Sequence, residues 1–260
     1  MKILRRIATD LVRMRGYEIR KLVPADIRRK AELTQRRLDS WRCINLFKIG
    51  TIIDIGANVG QFASIARSLL KEPPIVSFEP LADCYQKLLE KKQSLEPFHP
   101  IHSALGSTAG QLVINHSVTS ASSSFLEMGE LHKRELPHTA ESHQEIVPVS
   151  VLDHVLPNLS LPTPYFIKID VQGFELQVLQ GATETLKHTS ALVVEVSAEP
   201  MYNGEPGFDA VYNFLHERGF KYCGNVDQWR SERTGQILQF DCLFTREERG
   251  KVTSESLMKL

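Results

Sequence analysis

The stretch Thr51-Ile52-Ile53-Asp54-Ile55-Gly56-Ala57-Asn58-Val59-Gly60 leads from an apolar, β-branched segment into a turn bounded by two glycines. Residues 51–55 predict a buried strand, because a short apolar run of this kind fits a sheet that is covered on both faces. Beyond Gly60, apolar side chains at helical spacing predict a helix, which Pro73-Pro74 ends. The turn is therefore expected at the carboxyl edge of a sheet, where open α/β sheets bind their ligands.

The alternation of strand and helix continues on the carboxyl side of this turn. Further apolar runs predict strands at residues 75–78, 97–101, 165–171 and 191–196. Helical patterns accompany them at residues 81–92, 175–186 and 208–218. We therefore expect an α/β fold with a mostly parallel sheet and helices on both faces. The closing runs are expected to form an antiparallel pair at the sheet edge, at residues 220–222 and 239–244.

The composition of the turn indicates the kind of ligand that it binds. Gly56 permits a sharp turn and a close approach of ligand to backbone, and Gly60 opens the helix, whose first N–H groups are free. Asp54 at the strand end suits a cation such as the ammonium group of S-adenosylmethionine, and it would repel a pyrophosphate. The spacing also departs from G-x-G-x-x-G, which disfavours a dinucleotide enzyme. The turn alone therefore indicates a polar ligand at the start of a helix, and it suits the amino acid end of S-adenosylmethionine better than a dinucleotide.

A carboxylate also stands at the end of the second predicted strand. Glu79 directly follows the run 75–78. At this position of a nucleotide-binding sheet, an acidic residue accepts hydrogen bonds from both hydroxyls of a ribose. We therefore expect Glu79 to bind the ribose of the donor.

Lys168 and Asp170 lie on one face of the strand predicted over 165–171, because side chains alternate along a strand. We expect Asp170, at the strand's carboxyl end, to orient or deprotonate an acceptor hydroxyl. Ligation of a metal by Asp170 together with Glu175 is the alternative. A buried lysine needs a partner, and Lys168 is expected to form a structural pair with Glu195.

Residues 107–145 differ from the rest of the domain because they are rich in serine, threonine, histidine and glutamate. A polar stretch of this length predicts a loop or a lid. Its histidines do not share one helical face, and the four cysteines form no C-x-x-C pair, so no metal site is predicted. We expect unspecific, mostly solvated side chains at His116, His132, His138, His143 and His154.

Residues 1–48 carry a charge opposite to that of the remainder. They contain 14 basic and 5 acidic residues, a net charge of +9, and the other 17 basic and 26 acidic residues give −9. Residues 1–49 predict a basic helical extension, with helices over 2–22 and 27–38. A cap on the main domain is the first expectation, and peripheral contact with an anionic membrane surface is the alternative.

Residues 50–246 are predicted to form the main domain, and 247–260 a C-terminal tail. No apolar run is long enough to span a membrane, and the N-terminus carries no secretory signal, so we expect a cytoplasmic protein. We expect no nucleic-acid partner. The sequence specifies no oligomeric state.

In combination, the motifs between about residues 50 and 246 resemble those of the FkbM-type methyltransferases. Besides the turn, the matching pieces follow in order: Phe78-Glu79-Pro80, Ser103-Ala104-Leu105-Gly106, Val149-Ser150-Val151-Leu152-Asp153, Lys168-Ile169-Asp170-Val171-x-Gly173-x-Glu175, Val194-Glu195 and Asp241-x-Leu243-Phe244. The resemblance implies a Rossmann-like class I methyltransferase fold with S-adenosylmethionine as donor. It also implies O-methylation of a small-molecule or carbohydrate acceptor, at a hydroxyl of a sugar, glycolipid or other natural product.

The resemblance further implies a role for individual residues. The turn would hold the methionine portion of the donor through Asp54, Gly56, Asn58 and Gly60, with Ala57 as a further cofactor-binding residue. Glu79 would hold the ribose, Ser103 and Ala104 would lie beside the adenine, and Asp170 would face the reacting methyl group.

Gln172 departs from the acidic residue that is common at its position in this family. The departure weakens the case for a carboxylate-rich site, so a divalent metal is not supported. Two alternatives to a methyltransferase stay open. One is an NAD- or nucleotide-binding enzyme on the same fold, and the other is a non-catalytic protein that binds S-adenosylmethionine.

Overall fold

A computed structural model of the protein describes residues 25–246. The chain divides into two compact units, Met1–Asp39 and Ser40–Leu260. The domain boundary predicted after residue 49 stays a prediction. Helix α1 spans Ala25–Ser40, which confirms the helix predicted over 27–38. The helix predicted over 2–22 and the tail 247–260 lie outside the described residues.

The larger sheet of the second unit has seven strands within the described part of the chain. They are β1 (Thr51–Ile55), β2 (Ile75–Phe78), β3 (Phe98–Ile101), β7 (Tyr165–Ile169), β8 (Thr189–Ser197), β9 (Phe220–Arg230) and β10 (Ile237–Arg246). Their order in the sheet is β3-β2-β1-β7-β8-β10-β9. The first five of these run parallel, and β10 pairs antiparallel with β8 and with β9. The predicted mostly parallel sheet with an antiparallel edge is thereby confirmed.

Helices lie between the strands of the second unit. They are α2 (Gln61–Leu69), α3 (Ala82–Leu95), α4 (Glu130–Glu135), α5 (Leu152–Val155), α6 (Glu175–Gln180), α7 (Thr183–Lys187) and α8 (Phe208–His216). The helix predicted over 175–186 is divided into α6 and α7 at Gly181. A Cβ atom at Gly181 would collide with the Gly106 carbonyl oxygen, so this close backbone packing explains the glycine.

Both faces of β1 are buried, as the apolar run 51–55 predicts. Ile53 and Ile55 pack into one apolar cluster, and Ile52 packs into another on the opposite face. Trp41, from the 3-10 helix Trp41–Leu46, joins the second cluster and lies against Phe62, with ring centroids 4.6 Å apart. Because both faces are covered, polar groups of β1 and β7 reach ligands only at the strand ends.

A smaller sheet occupies the region that we predict as a polar loop or lid. It contains β4 (Ala104–Leu105), β5 (Gly110–Ser117) and β6 (Ser142–Ser150), and β6 lies between the other two. Residues 107–145 are thus more regular than their composition indicates, because β5 and β6 pair over a long separation in sequence. One face of this sheet packs on the start of α3, through Ile114, Val147 and Val149 against Leu81 and Cys84.

None of the helices described between residues 25 and 246 combines the length and the apolar character that crossing a membrane requires.

Candidate active site

The glycine-bounded turn lies directly beside Asp170, because β1 and β7 are neighbours in the sheet. Asp54 pairs in register with Lys168, and the Asp170 N–H donates to the Ile55 carbonyl oxygen at 3.1 Å. Gly56 has a φ of +78°, and a Cβ atom there would collide with the Asp170 carbonyl oxygen. The structure therefore gives Gly56 a role in backbone packing, and this packing brings the turn and Asp170 together.

Asp54 is fully buried at the end of β1. The Ser77 hydroxyl donates to Oδ2 at 3.2 Å, and Oδ1 has no hydrogen-bond partner within the part of the chain that the structure describes. Burial raises the pKa of Asp54 to about 6, although the charge of Lys168 works in the opposite direction. An unpartnered carboxylate oxygen behind the turn fits a cationic ligand group, which would favour the ionised form.

Glu79 braces the turn from the end of β2. Its Oε2 accepts the Asn58 N–H at 2.6 Å, and its Oε1 accepts the Leu81 N–H at 2.9 Å. Burial raises the pKa of Glu79 to about 7, and these two backbone donors work against that rise. Because each carboxylate oxygen has two lone pairs, both oxygens keep one for a further donor such as a ribose hydroxyl.

The other residues of the turn are held mainly by local contacts. Gly60, with a φ of +77°, precedes the first residue of α2, and its N–H donates to the Ala57 carbonyl oxygen at 2.8 Å. Asn58 has a φ of +48°, and its Oδ1 accepts the Val59 N–H at 2.7 Å and the Ser120 hydroxyl at 3.2 Å. The Asn58 side chain thus ties the turn to the segment that follows β5.

Ser103 and Ala104 lie where the larger sheet gives way to the smaller one. Both residues are buried, and Ala104 begins β4. The Ser103 hydroxyl lies 2.9 Å from the Ser150 hydroxyl and 3.2 Å from the Pro148 carbonyl oxygen. This hydroxyl therefore connects the start of β4 with β6, and the place of both residues beside the adenine stays a prediction.

Lys168 pairs with Asp170, and the predicted pair with Glu195 is wrong. The Lys168 Nζ lies 2.6 Å from Asp170 Oδ2, since both side chains extend from the same face of the strand end. Burial alone would lower the pKa of Lys168, but Asp170, Asp241 and Asp54 together raise it. Burial likewise works against ionisation of Asp170, but Lys168 holds the pKa of that carboxyl below its ordinary value. Asp170 is therefore an ionised carboxylate, with 29% of its side chain exposed.

Gln172 connects Asp170 with Glu195. Its Nε2 donates to Asp170 Oδ1 at 2.7 Å and also to Glu195 Oε2. Its Oε1 lies 2.9 Å from the hydroxyl of Tyr202, which is fully buried. Burial, Asp170 and Asp241 raise the pKa of Glu195 well above its ordinary value, whereas the pKa of Asp170 is lowered. The amide of Gln172 is satisfied on both sides, and it fixes the position of Asp170.

Glu175 stabilises the backbone of the loop after β7. Its Oε1 accepts the N–H groups of Val171 and Gly173, at 3.0 and 3.1 Å. Burial raises its pKa to about 7. This oxygen is occupied by two backbone donors, which disfavours the alternative that Glu175 ligates a metal together with Asp170.

Comparison with known proteins identifies the family of this arrangement. Residues 54–222 match the methyltransferase FkbM domain. The chain belongs to the FkbM methyltransferase family. The match includes the turn, Glu79, Ser103, Ala104 and Asp170, so the resemblance seen in the sequence motifs is confirmed.

Two curated relatives are methyltransferases. Hexuronic acid methyltransferase AglP of Haloferax volcanii is 27% identical over 146 residues, which cover 56% of this chain and 55% of that protein. The chain thus matches about half the length of this relative. Methyltransferase sdnD of Sordaria araneosa is 27% identical over 209 residues, which cover 72% of this chain and 79% of that protein.

Among solved structures, magnesium protoporphyrin IX methyltransferase from Synechocystis PCC 6803 has a similar fold. It was solved with bound S-adenosylmethionine and shows a TM-score of 0.45 and 9% sequence identity. The alignment covers 88% of this chain and 87% of that one.

The sequence does not predict that two residues of this FkbM-family site, Gln172 and Tyr202, belong to the hydrogen-bond network around Asp170. Gln172 is noticed only as a departure from the family motif, although it contacts both Asp170 and Glu195. Tyr202 lies in the segment after β8, outside any periodic pattern. The buried, hydrogen-bonded position of its hydroxyl depends on the fold of the whole domain.

Proposed function

We propose that this chain transfers a methyl group from S-adenosylmethionine to a hydroxyl oxygen of a sugar, glycolipid or other natural product. One observation carries the proposal: the backbone of Gly56 packs against Asp170, so the turn expected to bind the donor adjoins an ionised carboxylate. Membership in the FkbM methyltransferase family supports the reaction type. The name of the relative that acts on a hexuronic acid supports a carbohydrate acceptor.

The residues around the turn fit the donor. Gly56, Ala57, Asn58 and Gly60 present backbone at the start of α2, where the N–H groups of a first helical turn favour a carboxylate. The unpartnered, buried oxygen of Asp54 supports a place for the ammonium group nearby. S-adenosylmethionine supplies an activated methyl group when it is bound.

Two further contacts of the donor are proposed at the edges of this turn. Glu79 would accept hydrogen bonds from the ribose hydroxyls through the lone pairs that its backbone donors leave unused. Ser103 and Ala104, at the start of β4, would border the adenine.

Asp170 is proposed as the catalytic residue that receives the acceptor hydroxyl. Its carboxylate accepts from Lys168 on one oxygen and from Gln172 on the other, which leaves a lone pair on each for the hydroxyl proton. Because Lys168 lowers the pKa of Asp170, the carboxylate is a weak base that mainly orients the hydroxyl and accepts its proton as the new C–O bond forms. Orientation of the two reactants supplies much of the rate.

The segment between β5 and β6 is proposed to border the acceptor. Ser120 contacts Asn58 of the turn, and the hydroxyl of Ser124 donates to the Gln172 carbonyl oxygen at 2.6 Å. This segment thus lies over both the turn and the loop that follows Asp170, which supports its predicted role as a lid.

Binding and turnover measurements test the proposal in sequence. Isothermal titration should show binding of S-adenosylmethionine and S-adenosylhomocysteine, and no preference for NAD. A screen of free, nucleotide-linked and lipid-linked sugars with methyl-labelled donor should then identify an acceptor that gains label. Preference for NAD would overturn the assignment, and donor binding without methylation of any acceptor would favour the non-catalytic alternative.

The variant Asp170→Asn separates binding from catalysis. It keeps the size of the side chain and removes the carboxylate, so turnover should fall by about 100- to 10,000-fold while donor affinity changes little. Asp209→Asn is the matched control, because Asp209 is exposed at the start of α8. Full activity of Asp170→Asn on a confirmed acceptor would contradict the catalytic role.

A further inference from the structure

The antiparallel pairing of β5 with β6 brings together two histidines that are far apart in the sequence. His116 and His143 are direct cross-strand partners, and their ring centroids lie 4.7 Å apart. Glu145 follows His143 by two positions on β6, so its side chain extends from the same face. The three residues each offer a ligand atom, and these atoms all lie within 4.8 Å of one another.

The geometry of this cluster approaches that of a transition-metal site. His116 Nδ1 lies 3.1 Å from Glu145 Oε2. In a tetrahedral zinc site with bonds of about 2.0–2.1 Å, neighbouring ligand atoms are about 3.3 Å apart. Two imidazoles and one carboxylate form a donor set that zinc accepts, with the fourth position open to water. Small rotations of the three side chains would therefore bring the ligand atoms to these distances.

A carboxylate outside the cluster faces the other nitrogen of the His116 ring. Asp83, in the first turn of α3, has its Oδ1 3.9 Å from His116 Nε2. Histidines that ligate a metal through one nitrogen commonly donate the other N–H to a carboxylate, which fixes the ring. The two atoms are beyond hydrogen-bond distance, and Lys87 Nζ lies 3.5 Å from Asp83 Oδ2, so Asp83 would take this role after a small rotation of its side chain.

The exposure of the three side chains also suits an ion that enters from solvent. The side chains of His116 and Glu145 are 15% and 31% exposed, and His143 is exposed. The cluster is thus partly shielded by α3 on one side and open on the other. Without an ion, a hydrogen bond between His116 and Glu145 at such a site contributes little to stability.

We propose that His116, His143 and Glu145 bind a zinc ion, with Asp83 as a positioning residue for His116. The ion would cross-link the end of β5 with the start of β6, immediately before the segment that contains Ser120. Because the Ser120 hydroxyl contacts Asn58, the ion would also restrain the segment that lies over the turn. The zinc site is independent of the proposed methyl transfer, and it would stand if that proposal failed.

Metal titration of the untagged full chain, stripped with a chelator and dialysed, tests the site. Calorimetry with Zn²⁺ should give one ion per chain, and Co²⁺ should give the visible absorption of a bound, low-symmetry ion. The variant His143→Gln should weaken Zn²⁺ binding by at least about 100-fold, and Asp83→Asn by about 10-fold, as found for residues that support metal ligands. His138→Gln, at an exposed histidine outside the cluster, should bind Zn²⁺ like the unaltered chain.

Thermal unfolding gives a second readout that does not involve catalysis. Zn²⁺ should raise the unfolding midpoint of the unaltered chain and of His138→Gln, but not that of His143→Gln or Glu145→Gln. In chelator all four proteins should unfold at similar temperatures, because the altered side chains are at least partly exposed. Absence of a stoichiometric Zn²⁺ complex, or equal Zn²⁺ affinity in His143→Gln, would overturn the proposal.

Discussion

At the scale of single residues, Gln172 has a role that its type alone does not indicate. Its amide nitrogen donates to two carboxyl groups at once, those of Asp170 and Glu195. A carboxylate at this position would have no proton to donate and would add a third acidic group. The neutral amide therefore allows one lysine, Lys168, to balance Asp170.

The variant Gln172→Glu tests this positioning role. The new carboxylate should repel Asp170 and displace it, and kcat should fall by up to about 100-fold, because a small displacement of a reacting group has effects of that size. The KM for the donor should change little, since the turn is untouched. Gln111→Glu, at an exposed site on β5, is the control. Unchanged kcat in Gln172→Glu would show that the amide has no role in placing Asp170.

Glu79 should make donor binding dependent on pH. Its pKa is raised to about 7, and the ionised form is the one that accepts hydrogen bonds from two hydroxyls. Affinity for S-adenosylmethionine should therefore be constant above about pH 8 and should fall about tenfold at pH 6, where most of the carboxyl is protonated. Calorimetry across this range measures the effect. Equal affinity at pH 8 and pH 6 would contradict the ribose role.

Single residues also show what the sequence could predict about the site. The ends of β1, β2 and β7 follow from the apolar runs, so Asp54, Glu79 and Asp170 could be placed at one sheet edge. The hydrogen-bond partners of these residues could not be predicted. Asp170 and Glu195 were both possible partners of Lys168, and only the side-chain packing selects Asp170. The choice rests on contacts that short-range sequence patterns do not encode.

At the scale of elements, the packing of the turn against the end of β7 connects the donor and acceptor halves of the site. Gly56 combines a left-handed backbone with direct contact to the Asp170 carbonyl group. Either requirement alone would favour glycine, and the two together exclude any side chain unless β1 and β7 move apart.

Gly56→Ala should therefore destabilise the fold more than an alanine at another glycine with the same backbone conformation. The left-handed conformation costs about 1–2 kcal/mol, and forced overpacking adds about 1–3 kcal/mol. Gly235, between β9 and β10, has a φ of +74°, and a Cβ atom added there would meet no other atom within 4 Å, so Gly235→Ala should lose only the first amount. Urea unfolding of both variants measures the difference. Equal losses would show that β7 yields to the added methyl group.

The elements of the larger sheet could be predicted because each face is apolar and the helices between strands are amphipathic. The smaller sheet could not. The first half of β5 is exposed, and β6, whose residues 146–149 do show a regular apolar pattern, lies beyond the intervening helices. The pairing of the two strands therefore has no local signal. For the same reason the histidines appear unrelated in sequence. The cross-strand register, rather than helical spacing, brings His116 and His143 together.

At the scale of the whole molecule, the carboxyl ends of the sheet collect more buried acids than bases. Burial raises the pKa of Asp54 to about 6, and those of Glu79, Glu175 and Asp241 to about 7. Lys168 is a buried basic residue that lies among these acids, and it pairs with Asp170. The folded chain therefore holds protons near neutral pH that the unfolded chain would release.

This excess of acids should make the protein more stable as the pH falls from 8 to 6. Each of these carboxyl groups has a higher pKa in the folded chain than in the unfolded one, so folding takes up protons and stability is lost as the pH rises through about 7. A carboxyl group with a pKa near 7 contributes about 1 kcal/mol over this range. His132, whose pKa burial lowers to about 4, opposes the trend only as the pH falls toward 6 and below.

The variant Asp241→Asn should remove one of these groups and leave the others in place. Its free energy of unfolding at pH 8 should rise. The gain in stability on lowering the pH from 8 to 6 should shrink by about 1 kcal/mol. Asp209→Asn should leave both values unchanged because Asp209 is exposed. Urea unfolding of the unaltered chain and of both variants at pH 8 and pH 6 measures these free energies. A loss of stability on lowering the pH from 8 to 6 would contradict the prediction. It would show that the buried acids at the sheet edge stay ionised over this range, and that Lys168 balances more than one of them.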